Sequence, residues 1–119
     1  MYFCFLRPLN KTKKLNLIIK IGIEKTLKEI DGMFSLVLCD IKLEQVTLVR
    51  DRFGQKPLFY FYQDNIFCAC SELRQFKPFR NIFSLNLDHE AAKEFLIYGY
   101  IAAPRTIISD IHKIKPGTV

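Results

Sequence analysis

The sequence predicts an α+β domain, an antiparallel sheet with flanking helices. Apolar residues recur at helical spacing between Leu15 and Ile30. Four short apolar or β-branched runs follow between Met33 and Cys70, and a second helical pattern opens at Asp88. The links between the runs are short, which demands antiparallel neighbours, because a parallel pair needs a long crossover. The chain of 119 residues suits one such domain and is too short for two. Half of its residues are hydrophobic, enough for a core and inconsistent with wholesale disorder.

Residues 1–14 carry no clear periodicity and form a poorly defined N-terminal segment. Leu15, Ile18 and Ile19 then mark a helical face. Gly22 interrupts it. Ile23, Thr26, Leu27 and Ile30 repeat the spacing, leaving Glu24, Lys25, Lys28 and Glu29 for the wet side. The pattern reads as two short helices, or one broken near Gly22, ending at Asp31-Gly32, where the glycine supplies a left-handed cap. Met33 to Cys39 is nearly continuously apolar and predicts a strand buried on both faces. Asp40 to Glu44 is a polar link, and Gln45 to Arg50 is a β-branched second strand.

Leu58 to Tyr62 gives a third strand and Ile66 to Cys70 a fourth. Gln63-Asp64-Asn65 between them tolerates positive φ and predicts a hairpin. The four strands would form an antiparallel meander. Alternate residues of Phe59-Tyr60-Phe61-Tyr62 face opposite sides, so the core claims one set. Ser71 is expected to cap a short helical turn, Glu72 to Phe76, stopped by Lys77-Pro78. Asp88 is the N-cap of a helix whose stripe is Ala91, Ala92, Phe95 and Leu96, and Gly99 ends it. Residues 100–119 hold Ala103-Pro104 and Lys115-Pro116-Gly117, which is turn chemistry.

A net charge of +6 invites a nucleic-acid reading, with bases stacking on the aromatic strand. Only Lys11, Lys13 and Lys14 cluster, however, and the other cations are interleaved with acids, so a solvated surface and no nucleic-acid partner are expected. No apolar run nears the roughly 20 residues a membrane helix needs. The start, Met1 to Arg7, is apolar before it is basic, the wrong order for a secretory signal, so a cytoplasmic location and no membrane partner are expected. Cys4, Cys39, Cys68 and Cys70 lack metal-ligand grouping, and His89 and His112 stand apart. Reduced thiols in apolar strands, inert through a raised pKa, are expected for Cys39, Cys68 and Cys70, the last two sharing one strand face.

The most informative stretch is Arg50-Asp51-Arg52-Phe53-Gly54-Gln55-Lys56-Pro57-Leu58. Three charges in three residues between strands predict an inward-turned carboxylate satisfied by forked guanidinium bonds. Gly54 permits a sharp turn, and Pro57 suits a position that needs no ladder donor. An aspartate whose ionised form is so stabilised is a poor general base, so a structural turn is favoured over a catalytic one.

Asp31-Gly32-Met33-Phe34-Ser35-Leu36, then Val49 to Leu58, then Cys70-Ser71-Glu72-Leu73 resemble the glutaminase domain of glutamine-hydrolysing asparagine synthetases, the class II amidotransferases. Tyr98-Gly99-Tyr100, Pro104-Arg105-Thr106-Ile107 and Lys113-Ile114-Lys115-Pro116-Gly117 resemble the linker region that follows in that family. The resemblance implies a partial N-terminal-nucleophile hydrolase sandwich, αββα, with residues 15–99 as part of the amidotransferase domain and 100–119 as a linker-like tail. It also implies glutamine as substrate, with ammonia passed to an ATP-activated aspartate. ATP and magnesium then belong to a synthetase domain beyond Val119, and no cofactor to this chain.

The family's nucleophile is a cysteine directly after the initiator Met, where this chain has Tyr2. The amine of Cys4 is tied in a peptide bond. The Asn-Gly pair of the family's oxyanion pocket does not occur in this sequence. No catalytic, glutamine-binding or metal residue is therefore carried over, and the motif residues named above are read as structural. The chain is expected to be an inactive fragment of such an amidotransferase. The alternative is a non-catalytic interaction module, pairing with a separate polypeptide such as the other half of the amidotransferase or a synthetase domain.

Overall fold

A computed structural model describes Ile18, residues 20–82 and residues 85–119. The 1–14 segment with Cys4, and the expected helical positions Leu15 and Ile19, lie outside the described residues. At the predicted break, the Gly22 N–H donates to the Ile18 carbonyl at 2.9 Å, and Gly22 with φ +83° is the N-cap of helix α1 (Ile23–Glu29). Thr26 is the buried residue of α1, its hydroxyl donating to the Gly22 carbonyl at 2.7 Å. The helix stops short of Asp31-Gly32. Ile30 turns extended (φ −85°, ψ 115°), a conformation that a β-branched side chain favours, and closes the last turn with its N–H on Thr26. Gly32, at φ +97°, shapes the entry to the sheet rather than the helix end.

Strands β1 (Ser35–Asp40) and β2 (Gln45–Arg50) form an antiparallel hairpin, Ser35 opposite Arg50 and Asp40 opposite Gln45. Asp40 Oδ1 holds the loop by accepting the Lys42 and Leu43 N–H groups at 2.9 and 3.0 Å. The expectation that the first strand is buried on both faces is not met. Ser35 to Cys39 are all half-buried, because a two-stranded ribbon has too little around it to cover both faces.

Strands β3 (Phe59–Gln63) and β4 (Ile66–Cys70) form the second hairpin. Asp64 and Asn65 take φ of 51° and 61°, the double positive φ of a two-residue hairpin turn that matches strand twist. The predicted four-strand meander breaks between β2 and β3. One sheet is β1–β2 and the other is β4–β3–β5, where β5 (His112–Lys113) comes from the tail and pairs with Phe59 and Tyr60. The turn after Arg50 diverts the chain, and the tail takes the free edge of β3. A two-residue strand is too short to show a period-two pattern.

The core gathers Phe59, Phe61, Cys68, Cys70, Phe76 and Ile111. Phe59 and Phe61 point in while Tyr62 is exposed, the alternation expected of the aromatic strand. Phe76 arrives on a 3₁₀ helix (Leu73–Phe79) capped by Glu72 rather than Ser71. Glu72 and Gln75 exchange side-chain bonds with each other's backbone as a capping box, and the Ser71 N–H and hydroxyl reach Gln75 Oε1 at 3.2 and 3.3 Å. Pro78 sits inside this helix instead of ending it, since the φ that proline fixes is also the 3₁₀ value.

Helix α2 (His89–Tyr98) starts as expected. Asp88 Oδ1 accepts the Glu90 and Ala91 N–H groups at 3.0 and 2.9 Å, and Gly99 closes the helix at φ +75°. Its apolar stripe docks only in part: Ala91 is fully buried, whereas Phe95 and Leu96 are exposed. No helix among the described residues is long and apolar enough to cross a membrane.

Candidate functional site

The residues that the sequence singled out meet where the Arg50–Leu58 turn touches the tail. Asp51 is buried, and its carboxylate is satisfied by backbone rather than by guanidinium. Oδ1 accepts the Phe53 and Gln55 N–H groups at 3.1 and 3.0 Å, and Oδ2 accepts Lys56 N–H at 3.0 Å. Burial by itself raises the Asp51 pKa, but the backbone N–H groups of Lys56, Gln55, Phe53 and Phe34 outweigh it and hold the carboxyl below its ordinary value. The Asp51 backbone is tied on both sides as well. Its N–H donates to the Phe34 carbonyl at 3.0 Å, and its carbonyl accepts the Gly54 and Gly117 N–H groups at 2.9 Å each.

The expected carboxylate between two guanidiniums is thus corrected. Arg52 is exposed, and Arg50 turns its donors onto carbonyls. Nε donates to Lys56 O at 2.9 Å, while Nη1 and Nη2 donate to Ile114 O and Gly54 O. A tight turn presents many backbone groups at short range, and both side chains spend their hydrogen-bonding capacity on them. Burial lowers the Arg50 pKa from its ordinary value, with the charge of Asp51 opposing the shift.

The tail completes the knot. The Arg50 N–H donates to Thr118 O at 3.0 Å, and the Ile114 N–H donates to the carbonyl of the fully buried Leu58 at 2.9 Å. Thr106 is buried, its hydroxyl shared between the Ile108 and Ile111 carbonyls at 2.8 Å while accepting the Ile108 N–H at 3.1 Å. The Pro104 carbonyl receives the Lys113 N–H at 2.8 Å. Lys113 Nζ donates to Ile101 O at 3.0 Å and lies 5.9 Å from the Phe59 ring centre. Burial, then the neighbouring Arg50, pushes its pKa down. Arg105 pairs with Asp88 at 3.4 Å and Glu94 at 3.6 Å, fastening the tail to α2.

Gly54 is the tightest point. Its φ is +63°, and a Cβ there would meet Pro116 Cγ at 2.7 Å and the Arg50 guanidinium at 3.1 Å. Gly99 has a similar φ, but open space surrounds its would-be Cβ. Gly54→Ala is therefore expected to cost about 2–4 kcal/mol, and Gly99→Ala only about 1 kcal/mol. Urea midpoints of the two variants check this; equal losses would mean that backbone conformation alone matters at Gly54.

The structure brings together Phe34, Arg50, Asp51, Gly54, Lys56, Leu58, Pro116 and Gly117. Gly32 and the exposed Met33 lead into β1, and Pro57 is half-buried in the turn. Ser71 and Glu72 serve the 3₁₀ cap, while Gly99 and the exposed Tyr100 stand at the end of α2. Sequence reasoning missed Ile114 and Thr118, which act through carbonyls and so leave no residue-type signal.

Cys39, Cys68 and Cys70 are free thiols, and the last two share one face with sulfurs 3.9 Å apart. Burial raises the Cys39 pKa as expected. The raised value does not extend to Cys68, which the Cys70 hydrogen bond lowers against the opposing effect of burial. Cys68 is nonetheless almost fully covered, which keeps it from a substrate. The knot holds charge and backbone in place, with the Arg50 and Asp51 side chains bonded to backbone groups.

A family model described as a glutamine amidotransferase domain matches residues 14–119. A Methanocaldococcus jannaschii protein, provisionally named asparagine synthetase (glutamine-hydrolyzing) 2, is 29% identical over 102 residues, covering 85% of this chain and 20% of the relative. The asparagine synthetase (glutamine-hydrolyzing) of Rattus norvegicus is 41% identical over 61 residues, 50% of this chain and 11% of that protein. Asparagine synthetase (glutamine-hydrolyzing) 1 of Bacillus subtilis is 26% identical over 96 residues, 80% of this chain and 15% of that protein. The chain spans a fifth or less of the length of these relatives. No solved structure matches it.

Proposed function

The chain belongs to the glutamine amidotransferase domain family, and from that premise we propose that it is the scaffold half of a glutaminase unit serving asparagine formation. The observation that carries this reading is the Arg50–Asp51 knot, which falls within the matched residues and directs its side-chain bonds inward. The two antiparallel sheets among the described residues are what this chain would contribute to an αββα sandwich. Glutamine is the substrate of the assembled unit, and the released ammonia goes to an aspartate acceptor. ATP and magnesium would serve the synthetase activity of such an enzyme rather than the glutaminase unit. The cytoplasm is the proposed location, in keeping with the free thiols.

Amide cleavage by this chemistry needs a thiolate next to a free amine and a pocket for the oxyanion. Cys68 and Cys70 are buried in the core, and the half-buried Cys39 sits within β1 with its amine in a peptide bond, so this chain alone is expected to release no glutamate from glutamine. Mixing it with a polypeptide that carries an N-terminal cysteine and the first half of a relative's amidotransferase domain is expected to restore release. Glutamate formation by the purified chain alone, abolished by Cys4→Ala, would overturn the proposal.

A further inference from the structure

We draw no further inference here: the strongest candidate, the polar cavity between the β3–β4 turn, Asn86 and Asp110, rests on the acidic side chains Asp64 and Asp110, and no second observation among the described residues points to a ligand for them.

Discussion

Asp51→Ala is expected to be the most disruptive single change in the motif turn, costing about 3–5 kcal/mol. The carboxylate receives three N–H groups from Phe53, Gln55 and Lys56, and truncation leaves those donors unpaired in a buried turn. It also leaves the buried Arg50 charge without its neighbouring anion. A domain of this size has a total stability of roughly 5–15 kcal/mol, so the variant should be largely unfolded at modest urea. Phe53→Ala is the control: that side chain is exposed, and its loss should change the midpoint hardly at all.

The same carboxylate makes a pH prediction. Its folded pKa lies below the unfolded value of about 3.9, so the unfolded state binds the proton first as acid is added. The stabilisation is fully present above the unfolded pKa and is lost as pH falls through the folded one. Asp51→Asn, which keeps the shape without the titration, should therefore lose less stability than the wild type across that acid window. Equal acid limbs for the two proteins would show that Asp51 does not couple folding to protonation.

Phe76→Ala is expected to cost a similar 3–5 kcal/mol by a different route, namely an unfilled cavity. Phe76 is fully buried and packs with Phe59, Phe61, Cys68, Cys70 and Ile111, residues drawn from β3, β4 and the tail. A single truncation thus loosens the elements that the 3₁₀ helix and tail bring together. Phe76→Leu retains most of the volume and should recover more than half of the loss in thermal or urea unfolding. If the alanine variant were near neutral, the cluster could not be the core that closes the second sheet.

Much of this architecture was legible because it is local. The Gln45–Arg50 and Ile66–Cys70 strands sit where their apolar and β-branched runs placed them. The Asp64-Asn65 turn needed only residues that tolerate positive φ, and the Asp88 cap and Gly99 stop are single-residue signals. The motif residues could be picked out, and a structural role could be weighed, from charge crowding in one turn. The partner of each charge could not be read. A guanidinium can spend its donors on a carboxylate or on three carbonyls, and the carbonyls of Gly54, Lys56 and Ile114 carry no side-chain signature.

The sequence by itself determined the α+β class, the hairpins and both ends of α2, because φ preference and apolar spacing act within a few residues. Only the tertiary structure decided that the sheet splits in two, and that the tail supplies β5 and locks the Asp51 turn through Gly117 and Thr118. It also decided that the far end of α2 stands uncovered. These outcomes depend on contacts between residues up to 68 positions apart, such as Arg50 with Thr118. Hydrogen bonds through the main chain are blind to residue type, so contacts of that kind leave no trace in a linear pattern.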